Sequence, residues 1–108
     1  MQLQNGTLLQ GGKYKIETVL GQGGFGITYL ATQTLTDKKV AIKEFFFKEY
    51  CERDNVSGTV TVPTTSKKKF VEKFQKQFLK EAKISSDLNH KNIIRVLDVF
   101  QENDTSYY

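Results

Sequence analysis

The sequence predicts an α+β fold in which one long helix packs on a twisted antiparallel sheet of five strands, and three observations support this. Residues 13–47 alternate apolar and polar side chains with a period of two, which is typical of strands. Residues 67–88 contain strong helix formers and neither Gly nor Pro. Residues 93–108 are apolar and β-branched enough for two further strands.

The first three strands are expected to follow one another along the chain. Tyr14, Ile16 and Thr18 alternate with polar residues, and a glycine cluster then separates them from residues 27–31. A Thr-Asp-Lys turn at 36–38 precedes the third strand, for which we expect bounds of 39–47. Short connections of this kind favour antiparallel neighbours.

An excursion separates the third strand from the helix. Its centre is rich in Ser, Thr and Lys and holds the only proline, Pro63, so we expect residues 51–66 to form a surface insertion with a short strand near 59–62. Arg53, Asp54 and Asn55 are interpreted as a surface turn.

The helix is expected over 67–88, a fourth strand over 93–101 and a turn at 102–104. Residues 105–108 then open a fifth strand. Because the chain stops within that strand, the sequence indicates a partial domain, residues 1–108, whose last strand is truncated.

Composition restricts the class of protein. A chain of 108 residues, 38% hydrophobic, supports one small unit and excludes a multidomain assembly or a membrane span. The single cysteine, Cys51, cannot form an internal disulfide, and the amino terminus has no signal-peptide pattern. A reducing, cytoplasmic location is therefore expected, with Cys51 and the only histidine, His90, given no chemical role.

The positive charge is concentrated in one segment. Residues 67–83 hold seven lysines and two acids, a local charge of +5, so the remainder of a chain with net charge +4 sums to −1. A solvated helix face is the simpler interpretation. Nucleic-acid binding through this face is a rival hypothesis, although the partners that we expect include neither nucleic acid nor a membrane.

Gly21, Gly23 and Gly26 have GxGxxG spacing, which allows backbone amides to approach a phosphate with no Cβ in the way. Alone this is a weak signal, because a glycine-rich turn without a ligand is the alternative. In a dinucleotide-binding oxidoreductase a helix would follow the third glycine. Here β-branched and aromatic residues follow it, which predicts a hairpin with strands on both sides.

Two charged residues are expected to meet in the interior. Lys43 lies in the strand VAIKEFF, at a position that a period of two groups with Ala41 and Phe45, and it is either an edge-strand charge or a functional cation. A helical projection places Glu81 within an apolar stripe. A buried carboxylate needs a cation, so we expect Lys43 to be its buried partner; alternatively, Glu81 lies at the margin and reaches solvent. The stripe comprises Phe70, Val71, Phe74, Phe78, Ile84 and Leu88.

At these residues the chain resembles the amino-terminal, ATP-binding lobe of a eukaryotic-like protein kinase. LGQGGFGITYLA is similar to the glycine-rich loop of that family, at 20–28, and VAIK to its lysine strand. FLKEA followed by LNHKNI is similar to its glutamate helix and the exit from it. GGFGITYLA and KEFF, with an extended region before the helix, most resemble bacterial serine/threonine kinases.

The resemblance implies a role for each matching residue. Lys43 would contact the α- and β-phosphates of ATP and pair with Glu81, which makes these two the catalytic residues. Leu20 and Ala41 would line the adenine slot, and Thr28 stands where the family usually has valine. The glycine-rich loop over the phosphates would comprise Gly21, Gln22, Gly23, Gly24, Phe25 and Gly26, with Phe25 capping its tip.

The sequence also departs from the family. It holds no HRD, DFG or APE motif, so the catalytic base and the magnesium ligands are absent and no metal site is expected in this segment. Lys43 and Glu81 are 38 positions apart, and the surplus over the usual spacing is the excursion.

We therefore expect a lobe that is inactive alone, from a parent that transfers the γ-phosphate of Mg-ATP to a protein hydroxyl. The expected partners are ATP, a protein substrate held by the missing lobe, and a second copy of the truncated lobe. A pseudokinase or a non-catalytic interaction module is the alternative.

Overall fold

The computed structural model describes residues 2–87, 96 and 98–108. Six strands form one sheet in the order β1-β2-β3-β4-β8-β7, every neighbouring pair is antiparallel, and one long helix packs on it, which confirms the predicted fold class. A separate hairpin, β5–β6, makes a second sheet. The elements are β1 Leu8–Leu9, β2 Tyr14–Gln22, β3 Gly26–Gln33, β4 Lys38–Phe45, β5 Glu52–Arg53, β6 Val60–Thr61, a 3-10 turn Thr65–Lys67, α1 Lys68–Asp87, β7 Phe100–Glu102 and β8 Thr105–Tyr107.

The sheet has one strand more than the five expected, because Leu8 and Leu9 pair with Lys15 and Tyr14. Such a two-residue strand is too short for a periodic sequence pattern. Two register shifts interrupt the pairing of β2 with β3, one between Ile16 and Thr18 and the other beside Leu20. Irregularities of this type increase the twist of a sheet.

The sheet has two unlike faces. The core face carries Ile27, Tyr29, Ile42 and Glu44, all buried. It is covered by the amino-terminal segment and by the β5–β6 hairpin, which contribute Leu3, Leu9, Cys51 and Val60 to the core. The site face carries Thr28, Ala41 and Lys43, of which the last two are exposed. Helix α1 packs on the site face, where Phe78 lies 5.6 Å from Phe45, ring centroid to ring centroid.

Helix α1 buries only part of the expected stripe, since Val71 is buried and Phe74 and Phe78 pack against the core as partly buried side chains. Val71 and Ala82 are its most buried side chains, whereas Phe70 is 42% exposed and Ile84 50% exposed. No helix among the described residues is long and apolar enough to cross a membrane. Leu88, His90 and residues 93–95 and 97 of the expected fourth strand lie outside the described residues.

The excursion folds against the core face. Its β5–β6 turn is closed by Asp54, whose Oδ1 accepts hydrogen bonds from the backbone N–H groups of Val56 and Ser57 at 2.8 and 3.1 Å. The interpretation of Arg53 as part of a surface turn was wrong, since its side chain is only 2% exposed. Arg53 is buried because it meets a buried carboxylate, described below.

Candidate functional site

The glycine cluster forms the turn between β2 and β3. The Gly23 N–H donates to the Gly26 carbonyl oxygen at 2.9 Å. Gly21, Gly23 and Gly24 all have φ outside the left-handed region, and a Cβ on any of them would meet nothing within 4 Å. The turn itself therefore does not require glycine at these three positions. Their absent side chains leave open space over the loop, as a closely approaching phosphate would need.

Strand register places the candidate residues in one row across the sheet. Gly21 on β2 lies opposite Thr28 on β3, and Thr28 lies opposite Lys43 on β4. Leu30 and Ala41 form the next row on the same face. The sequence positions that the family resemblance assigns to the loop, the adenine slot and the phosphates are thus neighbours on the site face.

Lys43 is exposed, so the expectation of an inward lysine was wrong. Pleating turns its side chain to the site face, where α1 does not cover it. Its backbone N–H and carbonyl pair with the carbonyl and N–H of Tyr108 at 2.7 and 2.9 Å. The Nζ atom lies 5.7 Å from the centroid of the Tyr108 ring, a distance at which a cation and an aromatic face attract.

Glu81 is also exposed, and among the described residues it forms no ion pair with Lys43, contrary to expectation. The reason is the position of Glu81 around the helix axis. Glu81 lies about 60° from Phe78 and about 100° from Ala82 around the axis, at the margin of the packed face. Its side chain reaches solvent beside a cavity of about 200 Å³ that is lined by Phe25, Phe45, Phe74, Gln77, Phe78 and Glu81.

Phe25, at the tip of the loop, contacts both the strand and the helix. Its ring centroid lies 4.7 Å from that of Phe47 and 5.1 Å from that of Phe74 on α1. The carbonyl oxygens of Gly24 and Phe25 accept from the N–H groups of Lys48 and Phe46, each at 3.0 Å. The glycine loop is therefore held against the continuation of β4 and one side of the helix.

Glu44 is the buried acid among the described residues, and the sequence analysis missed it. Its carboxylate is fully buried on the core face, forms an ion pair with Arg53, and accepts from the hydroxyls of Tyr29, at 2.8 Å, and Tyr107. Burial, reinforced by the Glu44 charge, raises the pKa of both tyrosines above the ordinary value. One signal was available: a period of two groups Glu44 with Val40 and Ile42.

Comparisons with known proteins agree with this geometry. A family model described as "Protein kinase domain" matches residues 14–108. The chain is 31% identical over 96 residues to the serine/threonine-protein kinase PknD of Chlamydia caviae, a match that covers 89% of this chain and 8% of that protein. It is 33% identical over 96 residues to the serine/threonine-protein kinase PrkC of Bacillus subtilis (strain 168), covering 89% and 12%.

One solved structure is similar over nearly the whole chain. It is described as "PpkA-294 apo form", superposes with a TM-score of 0.91 at 25% identity, and is matched over 98% of this chain and 37% of its own. The chain thus spans only about a tenth of the length of the two curated relatives, 8% and 12%.

Proposed function

Since the chain belongs to the protein kinase domain family, we propose that it is the ATP-binding lobe of a serine/threonine protein kinase. The observation that supports this best is the row Gly21, Thr28 and Lys43, which sets an open glycine loop beside an exposed cation. In this proposal the whole protein transfers the γ-phosphate of Mg-ATP to a protein hydroxyl, and residues 1–108 hold the nucleotide.

The residues present fit ATP. Gly21, Gly23 and Gly24 leave room above the loop for a phosphate to approach the backbone. The Lys43 ammonium is accessible two strands away and would balance the phosphate charge. Ala41 and Leu20 are exposed apolar side chains suited to an adenine ring.

Each side chain then has a defined task. Lys43 would orient the α- and β-phosphates and offset their charge, and the loop would exclude water from above them. ATP, when bound, supplies the phosphoryl group. Lys43 and Glu81 are not paired with each other in the described structure. Glu81 would therefore hold Lys43 only after α1 rotates to bring the Glu81 side chain toward β4.

The proposal is tested by thermal unfolding with increasing Mg-ATP. At ten times Kd, the nucleotide should raise Tm by about 5 °C or more, since it binds only the folded chain. Lys43→Met should remove most of this rise. Lys38→Met, an exposed lysine of the same strand, is the control and should keep it. No shift for the unmodified chain, or equal shifts for all three proteins, would contradict nucleotide binding at Lys43.

A second candidate is a non-catalytic nucleotide-binding or interaction module. The exposed and unpaired Lys43 and Glu81 favour it, because a catalytic lobe needs that pair assembled. In the full-length protein, the first candidate requires phosphorylation of Ser or Thr that Lys43→Met abolishes. The second requires nucleotide binding with no transfer.

A further inference from the structure

The ion pair of Glu44 and Arg53 lies at a junction of four strands. The two side chains are 0% and 2% exposed. Glu44 belongs to β4, its hydroxyl donors Tyr29 and Tyr107 belong to β3 and β8, and Arg53 belongs to the β5–β6 hairpin. Both carboxylate oxygens are therefore engaged, and each partner comes from a different strand.

Arg53 also ties the hairpin into the lobe. Its Nη1 donates to the Gly58 carbonyl oxygen at 2.7 Å, and its guanidinium carbon lies 5.3 Å from the centroid of the Phe46 ring. The Val60 N–H donates to the Asn103 carbonyl oxygen at 2.8 Å, and Asn103 Nδ2 donates to the Tyr107 hydroxyl at 3.0 Å. The hairpin thus reaches the same tyrosine by two routes.

This junction adjoins the proposed phosphate-binding lysine. Lys43 and Glu44 are consecutive on β4, and both are joined to β8: Lys43 through its two backbone hydrogen bonds to Tyr108, and Glu44 through its carboxylate and Tyr107. Glu44 and Tyr107 are the one register pair recorded between β4 and β8 among the described residues. Any loosening of Glu44 would therefore act on the strand position that presents Lys43 to the site face.

We propose that Glu44 and Arg53 are positioning residues for Lys43, and that the β5–β6 hairpin is a clamp that fixes the lysine strand from the core face. The excursion thereby acquires a function, and its consequence for nucleotide binding rests on the proposed function above. Charge-assisted hydrogen bonds suit this task because they specify one geometry, whereas an apolar pair would tolerate several.

The test compares Glu44→Gln and Arg53→Lys with Glu52→Gln, whose exposed residue is the neighbour of Arg53 on the hairpin. Glu44→Gln removes the negative charge at nearly the same size, and Arg53→Lys keeps the positive charge but loses the guanidinium that reaches both Glu44 and Gly58. Mg-ATP affinity and amide hydrogen exchange are measured well below each Tm. Exchange at Lys43 and Tyr108 is expressed relative to exchange at Ile16 on β2, whose N–H donates to the Thr7 carbonyl oxygen at 2.8 Å.

Glu44→Gln and Arg53→Lys should speed relative exchange at Lys43 and Tyr108 about tenfold and weaken Mg-ATP affinity about fivefold, the effects of a weakened charged hydrogen bond. Glu52→Gln should change neither. Unchanged relative exchange and affinity in the folded variants would overturn the proposal and leave the pair a purely stabilising role.

Two further results keep the outcome decisive. If either variant fails to fold, Tyr107→Phe is used instead, because it removes one donor from the same carboxylate. It should also speed relative exchange at Lys43 and Tyr108, by a smaller factor, and unchanged relative exchange in this variant would overturn the proposal. If the unmodified chain binds no Mg-ATP, the proposed function fails, and relative exchange at Lys43 and Tyr108 alone decides whether Glu44 and Arg53 position that strand.

Discussion

Pleating sends the consecutive charges of β4 to opposite faces of the sheet, and their surroundings give them opposite tasks. Lys43 remains hydrated on the site face, so its cation is available to a ligand. Glu44 is removed from water on the core face, where three donors compensate its charge. A single strand thus joins a candidate ligand contact to a buried anchor.

At the residue scale, the two tyrosines that donate to Glu44 predict a loss of stability at high pH. Their pKa values are raised in the folded state, so above about pH 10 the unfolded chain releases protons that the folded chain retains. The contribution of the two tyrosines to the free energy of unfolding is therefore fully present below about pH 10. Above about pH 10 the free energy of unfolding should fall by about 1.4 kcal/mol per pH unit for each tyrosine.

Urea unfolding between pH 8 and 11 measures this slope. Tyr29→Phe and Tyr107→Phe should each lower stability at pH 8 by about 1–3 kcal/mol, because a donor to a buried carboxylate is lost. Each should also flatten the alkaline slope by its own share. An unchanged slope in both variants would mean that these hydroxyls ionise freely in the folded protein.

The glycines of the loop separate a folding requirement from a ligand requirement. A Cβ on Gly26 would stand 3.0 Å from the Glu44 carbonyl oxygen, whereas a Cβ on Gly23 would meet nothing within 4 Å. Gly26→Ala should therefore cost about 1–3 kcal/mol of unfolding free energy, and Gly23→Ala less than about 0.5 kcal/mol. Gly23→Ala should nevertheless weaken Mg-ATP binding if the open space serves a phosphate. Equal stability losses would refute the distinction.

How much of the site the sequence could predict depended on how far apart along the chain the residues in contact lie. The loop and Lys43 follow from local patterns, and register then sets them in one row. The burial of Glu44 could not be foreseen in the same way, because it depends on Arg53 and on Tyr107, 63 positions away. The placement of Glu81 failed because the projected stripe included Phe70 and Ile84, whose side chains are 42% and 50% exposed.

At the element scale, α1 presents one row of like charges to solvent. Lys69, Lys73, Lys76, Lys80 and Lys83 are exposed and recur every three or four residues, so neighbouring ammonium groups repel. Lys80→Glu replaces the repulsion of Lys80 by Lys76 and Lys83 with attraction between the new carboxylate and these two lysines. We expect it to raise the free energy of unfolding by about 0.5–1 kcal/mol at low salt.

Lys80→Gln is the matched control and should give about half of that gain. Both gains, measured by urea unfolding, should shrink in 0.5 M salt because exposed charges are screened. A loss of stability in Lys80→Glu would show that this lysine has a stabilising partner instead.

The same scale explains which elements the sequence predicts well. β2, β3, β4 and α1 are long enough for the repeat of apolar side chains along the sequence to indicate a strand or a helix. The three strands make up most of the six-stranded sheet. β1 and β5 have two residues each, so their existence follows from pairing partners and not from a local pattern, whereas β6, Val60–Thr61, lies within the short strand expected near 59–62. The tertiary fold therefore supplies the clamp that propensity does not reveal.

At the scale of the whole molecule, the two faces of the sheet are covered by different elements. The hairpin and the amino-terminal segment cover the core face, while α1 covers the site face near Phe45, Ser106 and Tyr108. The uncovered part holds Thr28, Ala41 and Lys43. The proposed nucleotide site therefore lies on the part of the sheet that α1 leaves open.

We predict that the 108-residue chain binds Mg-ATP without transferring its phosphate. The chain offers the glycine loop and Lys43, which in the proposed function position the phosphates, but its sequence contains neither an HRD aspartate to accept the hydroxyl proton nor a DFG aspartate to hold magnesium. Incubation with γ-labelled ATP, Mg²⁺ and dephosphorylated casein should leave label in the chain and in casein at the background of a protein-free reaction. Lys43→Met should differ only in weaker binding. Transfer that Lys43→Met abolishes would contradict the prediction, since the chain would then hold its own base and metal ligands.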